Sequence, residues 1–240
     1  MTDVIEAALA GAMAALDVQE RVWAVGVAHL VDIPEIREFS DEEVKLVIDL
    51  AQELADFPSG PVGYLPGGAD RTTEEDYRLI TLTHPGAPHL QMKIGLGIAG
   101  FVGVGLTRSG HFGGGENLPS GVLLSDVESV MADVFTLSMT AAIQMGYFGP
   151  IDMAFAISPD GPGATPAFYA LDEATGEPAL TRTFDAPLPV VPHRTELSVE
   201  VTAESVLADL SELATRFAHM VGSAPQLVDN RYAVELADDL

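Results

Sequence analysis

The chain has no cysteine in 240 residues, which removes disulfides, thiolate nucleophiles and cysteine-ligated zinc together. Basic residues are also scarce: 11 Lys and Arg stand against 36 Asp and Glu, a formal net charge of -25 at pH 7. A surface of that sign repels phosphate backbones, and a nucleic-acid binder needs clustered Lys and Arg, so direct DNA or RNA binding is not expected. The same field opposes docking on anionic membranes. Long apolar runs are missing too: the longest uncharged one, residues 94–106, is shorter than a bilayer-spanning helix and full of glycine. The opening Met1, Thr2, Asp3 lacks the basic segment and apolar stretch of a signal peptide, so the cytoplasm is the expected location.

What is present is apolar. With 48% hydrophobic and 20% charged residues the chain has enough apolar surface to offset the entropy lost on folding, so it must bury a sizeable core. Its length fits one large domain or two small ones.

Local patterns divide the chain. Ile5, Ala8, Leu9, Ala12, Met13 and Leu16 recur at helical spacing after Thr2, a candidate N-cap. Residues 20–33 fit a buried helix or a strand, and helix is the favoured reading. Ser40 to Glu43 forms a capping box ahead of an amphipathic helix carrying Val44, Val47, Ile48, Ala51 and Leu54. Pro58, Gly60, Pro61, Pro66, Gly67 and Gly68 then break regular structure and mark a boundary between a helical N-terminal segment, 1–57, and an α+β domain, 58–240.

Beyond it the period becomes two. Residues 77–83, 90–98 and 101–107 read as strands, followed by a glycine-rich loop to about residue 121. Ser125 to Glu128 reads as a second capping box, opening a helix to about Gly146. Residues 151–158 alternate as a strand with one buried face, and further strands are expected near 167–171, 178–184 and 196–201. A last helix, capped by Thr202, carries Val206, Leu210, Leu213, Phe217 and Met220 and stops at Gly222 and Pro225.

The two late helices share residues at a constant offset of 76, pairing Glu128, Ser129, Val130, Ala132 and Asp133 with Glu204, Ser205, Val206, Ala208 and Asp209, and Gly146 with Gly222. Two duplicated strand-strand-helix halves, 75–149 and 150–225, would produce this. Convergence of two capped amphipathic helices would produce it as well, since Ala, Leu, Val and Glu fill most helices.

Chemistry-bearing motifs are few. Gly95, Gly97 and Gly100 have the spacing of a dinucleotide fingerprint, but the glycine-alternating segment that follows is a poor helix former, and a strand pair is the better reading. His84, His89, His111 and Glu116 surround the glycine-rich region on expected loops and are candidate ligands for a divalent metal if those loops converge. Their spacing matches no zinc signature, and surface or hydrogen-bonding histidines are the commoner outcome. Ser109 lacks the preceding glycine of a nucleophile elbow. His193 falls in an expected proline-bounded loop, and His219 falls late in the last helix, where the helix dipole favours a cation.

The helix 128–146, the strand 151–157, the run Val191, Pro192, His193, Arg194, Thr195, and the helix end Phe217 to Gly222 before Pro225 carry a further relation. Over residues 125–232 they resemble the C-terminal region of actinobacterial Schlafen-AlbA-type DNA-binding proteins. In that family the AlbA-like module carries the nucleic-acid or nucleotide function, and no matching basic segment occurs upstream here. The resemblance implies an accessory module and transfers no functional residue.

The expected architecture is α+β, a helical N-terminal part and then an antiparallel sheet covered by two long helices. The leading functional expectation is a non-catalytic binding or regulatory module that holds a protein partner or small ligand, with no cofactor. Its competitors are a metal-dependent enzyme using the histidine loops, and a cytoplasmic chaperone or adaptor for a basic partner.

Overall fold

In the computed structural model the described residues are 3–14, 23–32, 40–54, 70–74, 77–84, 87–97, 102–108, 121–158, 167–172, 174–175, 178–183, 191–196 and 203–226. Along the chain they form α1 (Asp3–Ala14), β1 (Trp23–Leu30), α2 (Asp41–Leu54), β2 (Asp70–Glu74), β3 (Tyr77–His84), β4 (Ala87–Gly97), β5 (Val102–Arg108) and β6 (Gly121–Leu123). Then follow α3 (Leu124–Gln144), β7 (Pro150–Ser158), β8 (Ala167–Leu171), β9 (Pro178–Thr183), β10 (Val191–Glu196) and α4 (Ala203–Met220). The class is α+β. Seven strands form an antiparallel sheet in the order β10-β7-β1-β5-β4-β3-β2, and β6-β8-β9 form a smaller one with β6 and β8 parallel.

Residues 23–30 are a strand, where the sequence favours a helix. β1 lies inside the large sheet, bonded to β5 on one side and β7 on the other, so it shares that sheet with residues 102–108, 150–158 and 191–196. Both of its faces are covered: Ala24, Ala28 and Leu30 join the main core, while Val25 and Val27 are buried on the other side. A strand buried on both faces loses the polar alternation that distinguishes it from a buried helix.

β7 departs from expectation in the same way. Ile151, Met153, Phe155 and Ile157 enter the main core, and Asp152, Ala154 and Ala156 are buried on the opposite face. Its alternation is one of side-chain size, large residues toward the main core and small ones beneath α1, which packs on β1 and β7 through buried Ile5, Ala8 and Leu9. Gly26 shows how closely α3 approaches: a Cβ there would sit 2.7 Å from Val134 Cγ2 and from Phe155 Cε1.

Helix boundaries follow two rules. Before α2, the Ser40 N–H donates to Glu43 Oε2 at 2.9 Å and the Glu43 N–H to Ser40 Oγ at 3.2 Å, the capping box expected there. At α3 the expected box does not form. The helix starts at Leu124 directly after β6, with Leu123 as an N-cap that makes no side-chain bond, and this places Ser125 inside the first turn. Glu128 instead accepts the Gln226 N–H with both carboxylate oxygens, at 2.9 and 3.1 Å.

The C-termini of α3 and α4 are alike. Gly146 (φ 63°) and Gly222 (φ 77°) adopt the left-handed conformation. Their N–H groups bond to the carbonyls of Ile143 and His219, and the next N–H groups, of Tyr147 and Ser223, bond to Ala142 and Ala218. The Tyr147 hydroxyl lies 2.6 Å from the Val31 carbonyl and 2.7 Å from that of Pro150, tying the end of α3 to the end of β1. The small sheet joins α4 where the Phe168 and Phe217 rings meet edge to face at 5.8 Å.

The segments 75–149 and 150–225 do not carry matching strands: the first supplies β3, β4 and β5 to the large sheet, the second only β7 and β10. A closer match pairs β1, β5 and α3 with β7, β10 and α4, each an antiparallel strand pair followed by a helix. The expected strand at 196–201 is largely outside the described residues, since β10 ends at Glu196; the Thr202 cap is outside them also.

Candidate functional site

Where β1, β7 and β10 run side by side, the register sets His29 opposite Asp152 and Asp152 opposite Arg194. Paired residues of antiparallel neighbours share a face, so the three form one polar row across the sheet. Arg194 Nε donates to Asp152 Oδ1 at 2.5 Å and Nη2 to Oδ2 at 2.8 Å, the two-point geometry that a guanidinium offers a carboxylate. These bonds hold the Asp152 carboxyl below its ordinary value, against the opposing effect of burial. Burial lowers the His29 pKa despite the nearby carboxylates of Asp152 and Asp32, and its buried Nδ1 has no hydrogen-bond partner among the described residues.

His193, expected in a loop, is the middle of β10 and faces the other way. It is 8% exposed, its ring centroid is 5.6 Å from that of Phe135 on α3, and its Nε2 is buried without a partner among the described residues. Burial lowers its pKa; the carboxylates of Asp209 and Glu212 oppose this and the Arg216 guanidinium adds to it.

An open cleft of about 510 Å³ runs along this edge. Ile5, Met153 and Pro192 give it apolar lining, His193 borders it, and Asp152, Arg194, Asp209, Glu212 and Arg216 bring five charges. β10 has no strand on its outer side among the described residues, and Pro192, which lacks an N–H, is tolerated at such an edge. Asp152 is occupied by Arg194, and Asp209 accepts a bond from the Thr195 hydroxyl. Glu212 and Arg216, both exposed and one turn apart on α4, make no ion pair with each other among the described residues. The arrangement can grip charged and polar groups of a ligand; its lining residues, as described, join no nucleophile to a base.

The metal-ligand candidates lie elsewhere. His84 ends β3 and His89 is within β4, so both are on paired strands and not on loops, with the register shifting between Thr83 and His84. His111 and Glu116 lie outside the described residues. Among the described residues no group of three His, Asp or Glu is placed to hold a metal ion. The Gly95 to Gly100 motif belongs to β4 as far as Gly97, and β4 pairs with β5 as a strand pair.

The sequence reading missed the polar row and the cleft. One signal was visible: Asp152 is the lone charge in the apolar run of β7, and an acid on a strand buried on both faces calls for a partner. Nothing local names Arg194, which is 42 residues away.

No protein-family model, no curated protein and no solved structure matches this chain. Among the described residues no helix is long and apolar enough to cross a membrane.

Proposed function

We propose that the chain is a non-catalytic binding module that holds a peptide segment of a protein partner in the cleft beside β10. The observation that carries this reading is the cleft itself, which combines apolar lining with five charged side chains at a sheet edge that pairs with no further strand among the described residues. An open groove of this kind suits an extended chain that enters and leaves, where an enclosed cavity would suit a compact molecule. The resemblance of residues 125–232 to an accessory region fits the same reading. Titration with a panel of unstructured peptides, followed by amide resonances, tests it: saturable shifts confined to residues 191–196 and 209–216 are expected. Shifts centred elsewhere, or none, would overturn it.

We also infer that the core of the fold arose by duplication, with β1, β5 and α3 answering to β7, β10 and α4. The matching glycine stops of the two helices and the antiparallel contact of β1 with β7 inside the sheet support it. Sequences of relatives decide the matter. Greater likeness between the two units in some of them is expected, and independent loss of Gly146 and Gly222 across them would count against the idea.

A further inference from the structure

Resting on the reading of the cleft as a peptide-holding site, we infer that it selects a segment bearing a basic and an acidic side chain close together, the basic one meeting Glu212 and the acidic one Arg216. A Glu four residues ahead of an Arg on a helix is the order that favours an ion pair, yet these two make none among the described residues. Both line the cleft and both are exposed. The remaining lining charges are engaged: Asp152 and Arg194 hold each other at two points, and Asp209 takes the Thr195 hydroxyl. The cleft therefore offers one carboxylate and one guanidinium of opposite sign, set one helical turn apart.

Each has a chemical preference. The guanidinium presents two parallel N–H groups to a carboxylate, and the Glu212 carboxylate accepts from an ammonium or guanidinium. The net charge of -25 draws the basic end of a partner first and raises the encounter rate. The stems of long side chains find apolar lining in Ile5, Met153 and Pro192.

The test uses the full chain and terminally blocked hexapeptides of alanine with Lys and Glu two positions apart at the centre, so that both side chains of an extended chain face the same way, and the same peptides with Gln replacing Lys, Glu or both. Binding is read from the amide resonances of residues 191–196 and 209–216. The Lys-Glu peptide is expected to bind roughly tenfold tighter than the Gln-Gln one. Glu212→Gln should abolish the advantage of Lys alone, and Arg216→Gln the advantage of Glu alone; both positions are exposed, so the fold is kept. Exchanging the charges, Glu212→Arg with Arg216→Glu, should restore preference for a peptide of reversed order. Equal binding of all peptides at these residues would overturn the charge selection and leave the peptide-holding reading standing. Absence of shifts with every peptide would overturn both.

Discussion

Arg194 holds Asp152 across the β7–β10 pair by two parallel bonds, and the contact is lopsided: the arginine side chain is 59% exposed, the aspartate 11%. The exposed partner thus controls the charge state of the buried one. In the folded protein Asp152 has a pKa below its ordinary value of 3.8, so between the two values the unfolded chain binds more protons. The stability contributed by this group is present above that ordinary value and is lost as pH falls through the folded one. Arg194→Ala should raise the Asp152 pKa and move the acid-unfolding midpoint to higher pH, as read by carboxyl resonances and circular dichroism. Arg194→Lys should recover part of the effect, since an ammonium cannot supply the two parallel bonds. An unchanged midpoint in both would show that the pair contributes nothing.

His29, half-buried, and His193, buried, act in a different pH range. Burial lowers the pKa of both His29 and His193 from 6.5, so as pH falls below that value the unfolded chain takes up protons that the folded one resists. Stability should therefore be highest above this range and decline as pH drops toward the folded values. Urea midpoints at about pH 7.5 and 5.5 should differ in that direction, and His193→Gln should flatten the difference. A midpoint that rises on acidification would contradict the assigned burial.

Gly26 has no room for a side chain. Gly26→Ala puts a methyl group 2.7 Å from Val134 Cγ2 and Phe155 Cε1, and overpacking of this kind costs about 1–3 kcal/mol. Phe155→Leu in the same chain should recover part of the loss. Additive losses in the double variant would mean that the two side chains do not meet.

Glu128 is 1% exposed and clamps the Gln226 N–H, while the Gln226 side chain donates to the Leu171 carbonyl at 2.8 Å and accepts from the Leu171 N–H at 2.9 Å. Through these bonds the chain after α4 is fastened to α3 and β8. Glu128→Ala should cost about 1–2 kcal/mol, the contribution of a hydrogen bond to a charged group at a half-buried donor. The Gln226 amide should then exchange its hydrogen faster; unchanged exchange would show that the clamp is not closed in solution.

Short-range rules were legible in the residues. Ser40 with Glu43 announces the start of α2, Gly222 announces the end of α4, and the alternation of residues 77–83 and 101–107 announces β3 and β5. Each depends on neighbours within one turn or one strand, so local sequence is enough. Where tertiary contacts compete, local rules failed: Ser125 and Glu128 have the spacing of a capping box, but Glu128 is drawn to a backbone group 98 residues away.

By itself the sequence determined the acidic character, the freedom from thiol chemistry, the α+β class, the start of α2 and the glycine stops of α3 and α4, because composition and periodicity act locally. Only the tertiary structure decided that residues 23–30 are a central strand, that His193 is buried in β10, and that Asp152, Arg194, Glu212 and Arg216 border one cleft. The reason is physical. A strand covered on both faces carries no polar alternation, and a site assembled from α1, β7, β10 and α4 exists only once pairing across the sheet has brought distant segments into register.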